Sequence, residues 1–306
     1  MPLLVAAAIP LIWWHQGPDS ASRLQQAALS QVCLAPEVAS AWSGVLGAPA
    51  ACTGAARTKL PAPRIDRKIA VASATTSPWI VANGWRFLRS PGGSFFSEVP
   101  AGSAVLAMSE AFAYRADVAV KIAESDLPVA GNFQRFLAAL PDAQMPPIAD
   151  VTFVDDGSAL AGEALNLMVR RNLLARVAAG TEPVSGTLRV KIGDDDFPKS
   201  LASNPDQLAI AVRRKLTDEK RTIRVYGSEM VLTRLEGSGG QRRLHLINYN
   251  RNAMEGLRIR IRGEYASIKL FCFGYQGSTP EDVSAAGGFT EFSIPEFKEY
   301  AFVELR

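Results

Sequence analysis

The chain has 306 residues, 48% of them apolar and 21% charged, with a formal net charge of +3. Its length asks for two or three domains, and its composition is that of ordinary globular cores. A net charge this small does not by itself suggest a nucleic-acid partner, and none is expected. Residues 1–60 are nearly bare of charge, holding only Asp19, Arg23, Glu37, Arg57 and Lys59. This segment is therefore expected to be heavily buried or covered.

Met1 to Trp14 carries no charged side chain. The run is shorter than the roughly 20 residues that span a bilayer, so no integral membrane segment is expected here. It has the small residues Ala6-Ala7-Ala8 of a cleavable signal but no basic n-region. The reading is a signal remnant up to Ala8 and then a buried strand, Ile9–Trp14. Gly17-Pro18-Asp19-Ser20 punctuates the chain, Ser20 is placed to cap a helix through Leu29, Gln31–Leu34 forms a short strand, and Pro36-Glu37 opens a helix to about Val45. Residues 46–64, rich in Ala, Pro and Gly, read as loop. Strands follow at Ile69–Ser73 and Trp79–Ala82, a helix at Ala101–Tyr114, a strand at Ala116–Ile122 and a helix at Phe133–Leu140. Alternating strands and helices predict a mostly parallel sheet. An eight-fold β/α barrel takes about 250 residues, so residues 1–147 are part of a barrel, a degenerate one or an open sheet, and a partial or degenerate barrel is the expectation.

Pro146-Pro147 marks the next boundary. Residues 148–230 read as a Rossmann-like α/β domain: strand Asp150–Val154, turn Asp155-Asp156-Gly157-Ser158, amphipathic helix Ala159–Arg171, strands Leu173–Ala178 and Leu188–Ile192, helix Pro205–Leu216 and strand Thr222–Tyr226. Within the first helix, Ala161, Leu165, Met168 and Asn172 are spaced for one face. From Val231 the period changes to two. Val231–Leu235 and Arg243–Tyr249 flank Gly237-Ser238-Gly239-Gly240 as a hairpin. In Leu257–Arg262, Leu257, Ile259 and Ile261 face one way and Arg258, Arg260 and Arg262 the other. Ile268–Phe273, Gly288–Ile294 and Tyr300–Leu305 complete an antiparallel β-sandwich over residues 231–306. The fold class is thus α/β followed by all-β.

Leu244-His245-Leu246-Ile247-Asn248-Tyr249-Asn250, the closing Phe289-Thr290-Glu291-Phe292-Ser293-Ile294-Pro295, and Tyr300-Ala301-Phe302-Val303 resemble the final strands of barrel-type bacterial glycoside hydrolases. In those proteins a β/α barrel precedes a glutamine-amidotransferase-like domain and a small β-sandwich. Phe153-Val154-Asp155-Asp156-Gly157-Ser158 and Ser77-Pro78-Trp79-Ile80-Val81-Ala82-Asn83-Gly84-Trp85-Arg86 are similar to segments of exported bacterial proteins of this layout. The resemblance implies an exported or periplasmic carbohydrate-active-enzyme-like protein, with possible homo-oligomerisation through residues 148–230. None of these motifs is a catalytic signature.

The chemistry is bounded by what is missing. No cysteine lies between Cys52 and Cys272, so the 148–230 domain lacks an amidotransferase nucleophile. Only His15 and His245 offer an imidazole base, and no Gly-x-Ser-x-Gly elbow accompanies them. Three scattered cysteines and two histidines make no zinc cluster, and no cofactor is expected. A Cys33–Cys52 disulfide is open if the protein is exported, but reduced buried thiols are the expectation. The Asp155–Ser158 turn reads as a helix cap. Glycoside hydrolysis needs two carboxylates across a cleft. The candidates are Asp19, a helix-start residue, Glu110, on a solvated helix face, and Glu98, in the loop after Phe95-Phe96. Trp13, Trp14, His15, Trp79, Asn83, Trp85 and Arg86 sit near strand ends, where α/β sheets build their sites, and are the candidate saccharide contacts, core packing being the alternative reading of the tryptophans. The expected function is a non-catalytic or degenerate carbohydrate-active-enzyme-like protein that binds a saccharide. An active glycoside hydrolase and a structural or oligomerisation protein are the alternatives. The arginine stripe Arg258/Arg260/Arg262 reads by default as a solvated strand face, its charge softened by nearby Glu255 and Glu264, with contact to an acidic polysaccharide as the alternative.

Overall fold

The computed structural model describes residues 9–52, 57–69, 76–141, 145–178 and 186–306. The expected signal remnant and most of the Ile69–Ser73 strand lie outside them. The chain divides into two compact units, Met1–Asn83 with Ser90–Gln144, and Gly84–Arg89 with Met145–Arg306.

In the first unit the elements are β1 (Leu11–Trp14), α1 (Ala21–Gln26), β2 (Val32–Leu34), α2 (Pro36–Ala39), β3 (Thr58–Leu60), β4 (Arg64–Ile69) and β5 (Thr76–Val81). The short helix α3 (Gly84–Arg89) belongs to the second unit, and the first resumes with β6 (Ser94–Glu98), α4 (Ala104–Ala113), β7 (Asp117–Lys121) and α5 (Leu127–Ala139). Five strands form one sheet in the order β2-β1-β7-β6-β3, parallel throughout, while β4 and β5 pair as a separate antiparallel hairpin. The expected loop 46–64 thus contains the edge strand β3, and β6 was not foreseen. The last strand of this sheet in chain order, β7, lies beside the first, β1. At the β2 edge, Ala51 forms an isolated parallel bridge to Leu34.

Alternation divides the sheet into two faces. Ile12, Trp14, Leu34, Leu60, Phe95, Val118 and Val120 share one face, all buried. All ten residues of α4 are buried, as a helix apolar almost all round requires. Its first turn is capped from a distance: the buried Asp126 carboxylate accepts from the backbone N–H of Gly102 (2.9 Å) and Ala104 (3.4 Å). Buried Gln134 of α5 replaces missing backbone partners. Its Oε1 accepts from the N–H of Ser30 (2.8 Å) and Gln31 (3.1 Å), and its Nε2 donates to the carbonyls of Pro10 (3.1 Å) and Gln31 (2.9 Å). Gly131 allows α5 to approach the end of α1, because a Cβ there would lie 1.8 Å from the Ala27 carbonyl oxygen.

Two expectations are corrected in this unit. Cys33 and Cys52 are joined as a disulfide, with Cα atoms 4.8 Å apart. Register explains why: Leu34 N–H donates to the Ala50 carbonyl and Cys52 N–H to the Leu34 carbonyl, both at 2.8 Å, laying the two segments side by side. Ser20 does not cap α1. Its Oγ donates to the Gly17 carbonyl and accepts from Trp14 Nε1 (2.8 Å).

The second unit continues with β8 (Val151–Val154), α6 (Ala159–Arg170), β9 (Ala175–Ala178), β10 (Leu188–Lys191), α7 (Lys199–Ala202) and α8 (Pro205–Lys220). Its parallel sheet has the order β10-β8-β9. The cap expected at Ser158 is present, its Oγ accepting from Ala161 N–H at 3.1 Å. Asn172 lies past the end of α6 with φ 53°. Its side chain donates to the Val231 carbonyl (2.9 Å) and accepts from Thr233 N–H (2.8 Å). The helix expected over Pro205–Leu216 is found, and Thr217 leaves helical geometry directly after it, at φ 54°.

The remaining strands are β11 (Ile223–Tyr226), β12 (Val231–Ser238), β13 (Gln241–Asn248), β14 (Met254–Arg262), β15 (Ile268–Cys272), β16 (Glu281–Ala286), β17 (Phe289–Phe297) and β18 (Tyr300–Leu305). They form two antiparallel four-stranded sheets, β11-β14-β17-β16 and β12-β13-β18-β15, around one shared core that includes Leu235, Leu244, Leu257, Ile259, Phe292 and Val303. The strand expected at Thr222–Tyr226 therefore pairs with β14 of the terminal sheets. Its start is tied to β8, since Asp150 accepts from Thr222 N–H (3.0 Å) and from the Thr222 hydroxyl (2.5 Å). Burial pushes the Asp150 carboxyl above its ordinary value, partly offset by those two hydrogen bonds. The β12–β13 turn is the Gly239-Gly240 pair, both at positive φ (54° and 85°), which two-residue hairpin turns demand.

Candidate functional site

Because all five strands of the first sheet run parallel, their carboxyl ends lie at one end, where open α/β sheets and barrels bind ligands. Parity sorts what stands there. Trp14 turns to the buried face, only 1% exposed. Trp13 turns to the opposite face, together with Phe96, Lys59, Glu98 and Lys121 by register. Trp13 and Phe96 meet edge to face, ring centroids 5.0 Å apart, and both keep part of their surface open. His15 follows β1 on the same parity, and its Nδ1 is buried without a hydrogen-bond partner.

Glu98 is the last residue of β6 rather than a loop residue, and it stands directly opposite Lys121. The Lys121 ammonium lies 2.8 Å from Glu98 Oε1 and holds that carboxyl below the usual glutamate value, with Lys59 and His15 acting in the same sense. Beyond β7, Glu124 accepts from Gln16 Nε2 and from Arg23, and these contacts hold its carboxyl low as well. Trp42 Nε1 donates to the Gln16 carbonyl at 2.9 Å, fixing the turn after β1.

The other sequence candidates stand elsewhere. Asp19 lies exposed in a short 3₁₀ turn. Glu110, expected on a solvated face, is 1% exposed, because α4 is enclosed on all sides. Its two oxygens accept from Asn83 N–H (2.8 Å) and Asn83 Nδ2 (3.0 Å), and Asn83 also donates to the Pro61 carbonyl (3.0 Å). Glu110 and Asn83 thus hold the chain where β5 ends. Trp79 lies in β5, opposite Asp66 of β4. Trp85 and Arg86 belong to the second unit, where the Arg86 guanidinium covers the Trp85 ring at 4.3 Å. On the far side, Arg89 pairs with both oxygens of Asp155 (2.6 and 2.9 Å), so the Asp155–Ser158 turn carries structural contacts. His245 lies inside β13, 2.7 Å from the Tyr300 hydroxyl. A cavity of about 240 Å³ beside α1, bordered by Leu24, Val32, Trp42 and Leu46, has no titratable side chain in its lining.

The open-face cluster is therefore Trp13, His15, Lys59, Phe96, Glu98 and Lys121, with Gln16 and Glu124 at its margin. Sequence reading missed Lys59, Phe96, Lys121, Gln16 and Glu124. The aromatic pair Phe95-Phe96 was the available signal, but the strand was short, lacked apolar–polar alternation and was unassigned.

No protein-family profile matches the chain, and no curated protein does. Among solved structures the chain is similar to alpha-L-fucosidase isoenzyme 2 from Paenibacillus thiaminolyticus, at 9% identity and a TM-score of 0.53, over 70% of this chain and 60% of that one. A rhamnosidase from Novosphingobium sp. PP1Y aligns at 10% identity and a TM-score of 0.44, over 70% of this chain and 31% of that one. The beta-galactosidase of Rahnella sp. R3 aligns at 10% identity and a TM-score of 0.43, over 73% and 56%. This chain spans less than two thirds of each of them. All three are glycoside hydrolases, and the first likeness is one of fold: an α/β region with a parallel sheet, followed by antiparallel sheets. Among the described residues, no helix is long and apolar enough to cross a membrane.

Proposed function

We propose that this protein is a degenerate member of the carbohydrate-active-enzyme-like group, binding a saccharide on the open face of its first sheet without cleaving it. The observation that carries the reading is the electrostatic state of the two carboxyls at that end. Glycosidases need one protonated acid beside one ionised carboxylate. Glu98 is paired with Lys121 at 2.8 Å, and Glu124 accepts from Arg23 and Gln16; these contacts favour the ionised form of each carboxyl, the opposite of the raised acid that a glycosidase uses. Trp13 and Phe96 supply apolar ring surface for a sugar, and Lys59, Lys121, Gln16 and Glu98 supply donors and acceptors around it.

The meeting of β7 with β1 supports reading the sheet as part of a barrel. The three-stranded parallel sheet with its helices supports an amidotransferase-like middle domain that lacks the nucleophilic cysteine. The Cys33–Cys52 disulfide supports an oxidising, exported location.

The test pairs binding with turnover. L-Fucose and 4-nitrophenyl α-L-fucoside serve as first probes, chosen from the fold likeness, and a panel of other monosaccharides and aryl glycosides follows. Saturable binding that Trp13→Ala weakens about tenfold, with no release of nitrophenol, is the expected result. Release of nitrophenol that Glu98→Gln abolishes would overturn the reading in favour of an active hydrolase. An absence of saccharide binding across the panel would overturn it altogether.

A further inference from the structure

The outward face of the β11-β14-β17-β16 sheet belongs to the second unit and has no part in the site above. Along β14 the inward residues Leu257, Ile259 and Ile261 are fully buried, so Arg258, Arg260 and Arg262 point outward. Register sets Arg224 of β11 opposite Arg260, and Tyr226 opposite Arg258. On the other side, Phe289, Glu291 and Ser293 of β17 stand opposite Arg262, Arg260 and Arg258. Four arginines and two aromatic rings therefore share one sheet face.

The carboxylates within reach are fewer than the guanidinium groups. Glu291 serves both Arg258 (2.9 Å) and Arg260 (3.4 Å), and Asp218 serves both Arg224 (3.1 Å) and Arg221 (3.7 Å). Arg262 donates to the Glu219 backbone carbonyl at the end of α8 and is close enough to the buried Asp150 carboxylate to interact with it electrostatically, and the Glu219 carboxylate is near enough to Arg224 to be stabilised by it. Glu281 and Asp282 lie on the outer strand β16, across β17 from the arginines. Three of the arginines are braced on rings. Arg260 lies 3.8 Å and Arg262 5.9 Å from the Phe289 centroid, and Arg224 lies 4.8 Å from that of Tyr226. A ring-stacked guanidinium is held in plane with its N–H edges free for oxyanions. The side chain of Arg258 is 40% exposed and Tyr226 is 37% exposed, so the face is reachable.

We propose that this face binds an anionic polysaccharide, whose carboxylate or sulfate groups the arginines bind and whose sugar rings lie on Tyr226 and Phe289. The row runs along β14 with its arginines about 7 Å apart, flanked by Arg224 on β11 and bordered by Glu291 on β17. Duplex DNA carries a charge about every 1.7 Å, and an anionic membrane offers a broad charged plane. Neither matches a narrow, widely spaced row, whereas a flexible chain of charged sugars does. This inference is independent of the reading of the first unit.

Heparin is the probe, with dextran, a 20-nucleotide oligodeoxyadenylate and phosphatidylglycerol vesicles as comparisons. The intact protein is expected to bind heparin in a salt-dependent way, more tightly than the oligonucleotide or the vesicles, and not to bind dextran. Arg258→Gln/Arg260→Gln/Arg262→Gln should lose about a hundredfold in affinity, and the single Arg262→Gln, which removes a bond to a backbone carbonyl and a contact with the Phe289 ring, about tenfold. Glu291→Gln, which removes the competing carboxylate, should tighten binding several-fold. The proposal is overturned if the intact protein does not bind heparin, if Arg262→Gln binds unchanged, if Glu291→Gln weakens binding, or if the oligonucleotide or vesicles bind as tightly.

Discussion

Replacing Cys33 and Cys52 together by alanine tests how the edge of the first sheet is held. The bond closes a loop with a sequence separation of 19. For a loop of that length, chain entropy alone assigns about 3 kcal/mol to the cross-link. The native contacts across the edge are few and local: Leu34 to Ala50, Cys52 to Leu34, and Trp42 to the Gln16 carbonyl. They survive in the variant but no longer act on an unfolded chain already shortened by the bond. Urea unfolding followed by tryptophan fluorescence reads the effect directly, because Trp13, Trp14 and Trp42 all lie in this unit. The expected result is a loss of about 3 kcal/mol, or a fall in Tm of roughly 10 °C at ~3 °C per kcal/mol. The slope of the unfolding curve should also steepen as the unfolded chain expands. A loss under ~1 kcal/mol with an unchanged slope would refute the loop-closure account. Two free thiols at Cys33 and Cys52 in protein purified from an oxidising compartment would refute the bond itself.

Three further outcomes follow from buried contacts. Glu110→Ala strands the Asn83 donors in the interior and should cost about 3–5 kcal/mol, whereas Glu110→Gln, which keeps one acceptor, should cost about 1–3 kcal/mol, both by chemical denaturation. Gly131→Ala drives a methyl group into the Ala27 carbonyl. It should destabilise by roughly 1–3 kcal/mol, although alanine is the better helix former by about 1 kcal/mol, and a more stable variant would show that the approach of α5 to α1 is misread. The Asp150 carboxyl is raised in the folded state, so its linkage contribution is fully present below the ordinary aspartate value and is lost as pH rises through the raised value. Asp150→Asn should therefore flatten the decline in stability across that window, and an unchanged pH profile would argue against a raised Asp150.

Much of the second unit was legible in order along the chain. The Leu257/Ile259/Ile261 alternation gave the inner face of β14, the Gly237-Ser238-Gly239-Gly240 run gave the β12–β13 hairpin turn, and Ser158 gave the start of α6. Each is a local signal, carried by neighbours within a few residues through side-chain parity, φ preference or an orphan backbone donor. The candidate site was legible only in part. Trp13, His15 and Glu98 were singled out, but Lys59 and Phe96 come from short strands the pattern did not reveal, and Lys121, inside the expected strand Ala116–Ile122, gains its role only by pairing with Glu98.

Charge and period along the chain could say that the first 150 residues alternate strands with helices and that the terminal region is a two-period β structure. They could not say which strands meet. That β7 lies beside β1, that β11 joins the terminal sheets, and that Cys33 faces Cys52 are matters of pairing between segments far apart in sequence. Nor could they distinguish Glu110 from a solvated helix residue, since a helix enclosed on every side shows the same local spacing as a surface one. Burial and pairing depend on partners the local pattern does not contain, and only the folded chain brings those partners together.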